Sequence, residues 1–154
     1  MWLVVEEHGK AVCLRKAEGE HAIQPYKRVG LRMTMHDIAS GKAILAELGD
    51  DRVREIIDRY GLPERTERTI TDPDELFAEL EEIRETGIAL NDGESMEGFR
   101  AVASSICPQG TLCGSLVVSG PKNRIRDERF GEELPQIVSG TTNALELELA
   151  SQMD

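Results

Sequence analysis

The sequence predicts an α+β domain, an antiparallel sheet of five to six strands with helices on its faces. Three observations carry this. Short β-rich runs with close turns fill the first 28 residues; amphipathic helical stretches fill the middle third; β-rich runs then return, followed by one long helical stretch. Strands, helices, strands, helix is the order of a segregated α+β layer arrangement rather than of alternating parallel units. At 154 residues, 40% apolar and 31% charged, the chain has the length of one domain with a real core. No repeat or long Gly/Pro/Ser linker divides residues 1–154.

In the first third, WLVVEE (2–7), KAVCLRKA (10–17) and HAIQPYKR (21–28) read as strands, with HGK and EGE as hairpin turns. Val12 and Leu14 alternate with Cys13 and Arg15, the pattern of a half-buried strand. Three such runs predict an antiparallel meander.

The first helix is predicted over 37–48, with Ile38, Ile44, Leu45 and Leu48 on its apolar face and Gly49 as its C-terminal cap. In DDRVREIIDRYG, Val53, Ile56, Ile57 and Tyr60 fall at i, i+3, i+4 and i+7 and give an amphipathic stripe ending at Gly61. In DPDELFAELEEIRETG, Asp72 caps, Pro73 suits the first helical position and Glu75 completes a capping box. Leu76, Leu80 and Ile83 form its buried stripe, Gly87 stops it, and its acidic residues form a solvent face.

GIAL, GFRAVASSIC and TLCGSLVVSG then read as strands, with PQG (108–110) turning between the last two. The long helical stretch over 127–151 has Leu134, Val138, Thr141, Leu145 and Leu149 on its apolar side, its first half weakened by Pro135 and Gly140.

The formal net charge of −11 opposes direct DNA binding, because phosphate contacts need Lys and Arg. Five of the 18 basic residues are Lys; such a surface would suit the high-salt cytoplasm of a haloarchaeon. No apolar run approaches the roughly 20 residues of a membrane span, and MWLVVEEHGK has neither a basic n-region nor a cleavage signal. Cys13, Cys107 and Cys113 form no C-x-x-C pair, as expected of reduced thiols in a cytoplasmic protein; Cys107 and Cys113 flank a turn and could face each other.

Enzyme motifs are missing. SGK at 40–42 is not a phosphate loop, because the glycine required five positions before Gly41 is His36 and Lys42 is followed by Ala43. There is no G-x-S-x-G, H-E-x-x-H or metal-spaced Cys/His set. Asp92 with Glu94 would be an acid/base pair without a nucleophile. No enzyme activity and no cofactor are expected.

Small residues cluster where the first helix begins: Ala39, Ser40, Gly41 and Ala43. A helix start leaves about four backbone amides without partners and carries a partial positive charge of about half a unit. An anion binds there if no side chain blocks it. Tight packing of the helix against the sheet uses small residues equally well, and composition leaves both readings open.

Three co-linear segments resemble the C-terminal effector-binding domain of IclR-family transcription regulators. They are VGLRMTMHDIASGKAILAEL (29–48), RTERTITDPDELFAELEEIRETGIALNDGESMEGFRAVASSI (65–106) and SLVVSGPKNRI (115–125). The resemblance implies a GAF-like or profilin-like fold and a sensor for a small organic acid. It implies self-association as a dimer or tetramer, and contact with DNA only through an N-terminal winged helix-turn-helix that this chain lacks. The chain starts almost at the first sensor strand, which reads as an excised domain; a naturally short sensor is the alternative. The resemblance places the effector carboxylate at the amides of Ala39 and Ser40, polar groups at Asn91, Glu94 and Ser119, and an apolar wall at Met33, Met35, Phe99 and Ala101. Where relatives carry a carboxylate, a Cys and a second Ser, this sequence has Asn91, Ala101 and Val117. Fewer hydrogen-bonding groups imply an effector less polar than a two- or three-carbon keto acid.

Other residues have plainer readings. His36 reads as a local cap or a ligand contact, and Lys42 as an anion attractor or a solvated surface charge. His8 and His21 lie near turns and read as exposed. Arg100 reads as facing away from the pocket toward an acidic partner. The rivals to a sensor are an oligomerisation module and a stand-alone GAF-like sensor without DNA binding.

Overall fold

The computed structural model describes residues 1–17 and 29–153. Six strands form one antiparallel sheet: β1 (Trp2–Glu7), β2 (Lys10–Lys16), β3 (Arg32–Met33), β4 (Ala89–Asp92), β5 (Phe99–Ile106) and β6 (Gly114–Pro121), in the order β3-β2-β1-β6-β5-β4. Helices α1 (Ala39–Glu47), α2 (Asp50–Tyr60) and α3 (Pro73–Thr86) cover one face, and α4 (Leu134–Gln152) covers the other. The α+β class and an antiparallel sheet within the expected five to six strands are as the sequence predicts, but β3 (Arg32–Met33) lies in a stretch not read as a strand. The run at 21–28 lies outside the described residues.

The hairpin at His8–Gly9 closes β1 onto β2, both residues having positive φ. In β2 the buried face is Ala11 and Cys13, not the face of Val12 and Leu14; Leu14 is exposed. The register with β1 decides this, because Val4, itself buried, pairs with Cys13 and a strand's two faces alternate strictly.

Helix α1 is buried along its length from Ala39 to Ala46, so it has no polar face for a 3.6-residue period to reveal. It ends at Leu48, not at Gly49. Gly49 (φ −67°) is the entry residue of α2, its carbonyl accepting from the Val53 amide at 3.1 Å. Helix α2 buries Val53 and Ile56 and ends at Gly61 as predicted. In α3 the Asp72 carboxylate accepts from the Asp74 amide at 3.2 Å, Pro73 takes the first turn, and Gly87 ends the helix in the left-handed conformation. The reciprocal Glu75 bond of a capping box is not formed.

β5 is buried at nearly every position because it is sandwiched. Ala101 and Ala103 pack toward α1, and Val102 packs with Leu134 and Val138 of α4. A five-residue π-type turn (Arg129–Glu133) precedes α4, whose buried stripe is Leu134, Val138 and Thr142. The predicted Thr141 and Leu145 turn outward; the i, i+4, i+8 row drifts by one residue from the expected one.

Candidate functional site

The start of α1 meets the sheet over β4, β5 and β6. Asn91, Ala101 and Ser119 are aligned across these strands, and the next row on that face is Ala89, Ala103 and Val117. Strand periodicity puts both rows under α1. Of these, Asn91, Ala101, Ser119 and Val117, with Ile38, Ala39 and Ser40 of the α1 start and Ser95, Met96, Phe99 and Arg100, line a cleft of about 350 Å³ of empty space, including its open mouth. The cleft is narrow, with room for about one water unless Met96 or Phe99 moves.

The polar atoms at its head come from α1. Ile38 precedes the helix in an extended conformation and supplies no side-chain cap. The first bonded amide is that of Lys42, to the Ile38 carbonyl at 3.0 Å. No acceptor among the described residues takes the amides of Ala39, Ser40 or Gly41. Ser40 is 3% exposed. Among the described residues its hydroxyl has no hydrogen-bond partner, yet no fully enclosed side-chain oxygen there is unpaired. The Ser40 Oγ therefore opens into the cleft that the residue lines.

Gly41 has a different reason to be small. A Cβ there would press into the Met35 carbonyl and lie 2.5 Å from Met35 Cα. Of the small residues at the helix start, Ala39 and Ser40 border the cleft, and Gly41 is a packing requirement.

Asn91 lines the cleft with both ends of its carboxamide engaged. Nδ2 donates to the Asp37 carbonyl at 2.9 Å, and Oδ1 accepts from the Glu94 amide at 2.8 Å. Glu94 does not line the cleft. Its carboxylate takes Lys42 Nζ at 2.8 and 3.0 Å. Burial pushes the Glu94 carboxyl above its usual range, with the Lys42 charge opposing and the neighbouring Glu79 carboxylate adding to the rise. Lys42 is neither an open cation nor a solvated one: it is fully buried. His36 is neither a cap nor a cleft residue; its Nε2 lies 2.9 Å from the Pro63 carbonyl.

Of the ten residues singled out in the sequence, the cleft brings together Ala39, Ser40, Asn91, Phe99, Ala101, Val117 and Ser119. Met35 is instead buried in the core beside Gly9, Leu45 and Tyr60. Met33 lines a neighbouring surface groove with Arg32, Arg65 and Ser95. Ile38, Ser95 and Met96 line the cleft without having been singled out, and so does Arg100, which was expected to face away from it. Loops such as 93–98 have no period, so nothing in the sequence says which of Glu94, Ser95 and Met96 turns inward. Arg100 faces the α4 side, binding Asp92 at 3.1 and 3.2 Å and Asp127 at 3.0 Å.

No helix among the described residues is long and apolar enough to cross a membrane. No cluster of three His, Cys, Asp or Glu side chains suited to a metal occurs among them.

Residues 2–146 match the family described as bacterial transcriptional regulator IclR C-terminal. The chain is 30% identical over 151 residues to the probable HTH-type transcriptional regulator ArcR of Halobacterium salinarum, covering 96% of this chain and 57% of ArcR. The crystal structure of Thermotoga maritima IclR superposes with a TM-score of 0.88 at 29% identity, over 97% of this chain and 60% of that one. The inducer-binding domain of a PobR double mutant from Acinetobacter, in complex with 3-hydroxybenzoic acid, superposes with a TM-score of 0.86 at 25% identity, over 94% and 86% of the two chains. The chain thus spans little more than half the length of ArcR.

Proposed function

This chain belongs to the family of IclR C-terminal domains, and we propose that its cleft receives the carboxylate of a small organic acid as the effector of a transcription regulator. Domains of this family bind small-molecule effectors, and the relatives are transcription regulators, not enzymes. The observation that carries the reading is the Ser40 hydroxyl of a 3%-exposed residue, beside three amides, all four donors without an acceptor among the described residues. A carboxylate would satisfy these donors, and the helix dipole would favour it. Ile38, Met96, Phe99, Ala101 and Val117 would contact an apolar body, with the Ser95 and Ser119 hydroxyls beside it. Asn91 would shape the cleft rather than bind, since its carboxamide is already engaged. Met33 would stand at the approach, and Met35 and Glu94 would support the walls.

In the whole regulator, a cytoplasmic protein, this domain would associate with itself as a dimer or tetramer. Effector binding would shift the balance between quaternary arrangements and so reposition N-terminal winged helix-turn-helix heads that make the DNA contact. Ile137, Leu147 and Met153 leave apolar surface exposed on and just beyond α4, which supports self-association and also suits the reading as an oligomerisation module.

The test is thermal shift and calorimetric titration against a panel of acids with 3-hydroxybenzoate, larger apolar carboxylates, glyoxylate and pyruvate. The apolar acids should stabilise most. Ser40→Ala removes no protein hydrogen bond, so it should leave stability within about 0.5 kcal/mol while weakening binding roughly ten-fold. A panel without any ligand would overturn the proposal, and stronger stabilisation by glyoxylate or pyruvate would overturn the apolar preference.

A further inference from the structure

Lys42 stands in the first turn of α1, where a cation opposes the helix dipole, and no part of it reaches solvent. Its ammonium donates to three elements. Glu94 of the 93–98 loop accepts at 2.8 and 3.0 Å, Glu79 of α3 at 2.7 Å, and the Leu90 carbonyl of β4 at 2.8 Å. Glu94 is itself held at both ends of its backbone. Its amide donates to Asn91 Oδ1, and its carbonyl accepts from Thr69 Oγ1 at 2.6 Å. The Gly93 carbonyl accepts from Thr66 Oγ1 at 2.6 Å. Ser95 and Met96, the two residues after Glu94, line one part of the cleft, and Ala39 and Ser40, three and two residues before Lys42, line another.

Stability alone does not call for this arrangement. Desolvating the ammonium and the Glu94 carboxylate is costly, Glu79 being about a third exposed, and replacing a buried ion pair with well-packed apolar side chains is often neutral or stabilising. What a shared ammonium provides, and an apolar side chain does not, is a directional tie of fixed length between particular atoms. We propose that Lys42 is the positioning residue of the effector cleft: its ammonium sets the gap between the start of α1 and the 93–98 loop.

This rests on the cleft being the effector site, but its first readout needs no effector. Hydrogen exchange of the full chain is compared with that of Lys42→Met, Glu94→Gln and the Lys42→Met/Glu94→Gln pair. Peptides covering 93–98 should exchange roughly ten-fold faster in each variant, while those covering β5 and β6 keep their rates. The paired variant should recover thermal stability relative to Lys42→Met, because no carboxylate at position 94 is left buried without its cation. It should not recover loop protection or affinity for 3-hydroxybenzoate. Should Lys42→Met not fold, Glu94→Gln decides, since it leaves the ammonium its Glu79 partner. Unchanged exchange of the loop overturns the proposal, and so does uniform acceleration across the domain, which marks a general core role. If the loop loosens as expected but the parent binds no acid of the panel, the positioning role stands and the effector reading falls.

Discussion

The Asn91 carboxamide donates to the carbonyl of Asp37, 54 residues earlier in the chain, at 2.9 Å. Its oxygen accepts from the Glu94 amide. One side chain thereby ties the segment entering α1 to the loop that flanks the cleft. Both bonds are buried, so Asn91→Leu strands an acceptor and a donor together. Chemical denaturation should show a loss of about 2–4 kcal/mol. Asn91→Asp keeps the acceptor for Glu94 but turns a carboxylate oxygen onto the Asp37 carbonyl in a buried site, and should cost at least as much as the Leu variant. Equal stability of all three proteins would mean that the tie does not form.

Gly41→Ala tests the close approach of Met35. The obstructing atoms are backbone, which cannot rotate away as a side chain can. The substitution should cost at least about 1–3 kcal/mol, although alanine favours a helix over glycine by about 1 kcal/mol. A urea midpoint at or above that of the parent would show that α1 and Met35 are farther apart than described.

Glu94 gives a pH dependence whose sign is fixed by its burial. Its folded pKa lies above the ordinary 4.5, so the native state holds the proton more tightly than the unfolded chain does. That contribution to stability is complete below 4.5 and is lost as pH rises through the folded value. Lys42→Met removes the opposing charge and should move the Glu94 pKa higher, extending the loss toward neutral pH. The carboxyl carbon-13 shift of Glu94, followed against pH in both proteins, reads this directly. A lower or unchanged value would contradict the ion pair.

Asp92 has the opposite sign. Hydrogen bonds from Arg100 hold its carboxyl below 3.8, against partial burial, and the Arg100, Arg68 and Lys122 charges assist. Its contribution is present above 3.8 and is lost as pH falls through the lowered folded value. Arg100→Met should return Asp92 toward its ordinary pKa and shrink the acid-side loss. An Asp92 titration that does not move would show that the pair is not formed in solution.

Much of the fold was legible because its signals are local. Asp72, Pro73 and Gly87 delimit α3 through bonds and dihedral angles within a few residues, and the Val53 stripe of α2 needs only the pitch of a helix. The candidate cleft was legible in part, and mainly through its likeness to a family: Ala39, Ser40, Asn91 and Ser119 share it, whereas Met33 and Met35, two positions apart in a short strand and the turn after it, go to a groove and to the core. No local rule separates those two destinations. Lys42 was misread because a lysine is almost always solvated, and its partners lie 37, 48 and 52 residues away.

The sequence by itself determined most of the segments that become strands and helices, the α+β class, and the small residues at the start of α1. The tertiary structure alone decided which face of β2 is buried, that Gly49 opens a helix instead of closing one, and that the stripe of α4 runs through Thr142. It also decided that a lysine joins the walls of a cleft. The reason is that chain-local energies fix backbone conformation over a few residues. Which side chain meets which is set by strand register and by the order β3-β2-β1-β6-β5-β4, in which Trp2 lies beside Val117 and burial follows from neighbours that are remote along the chain.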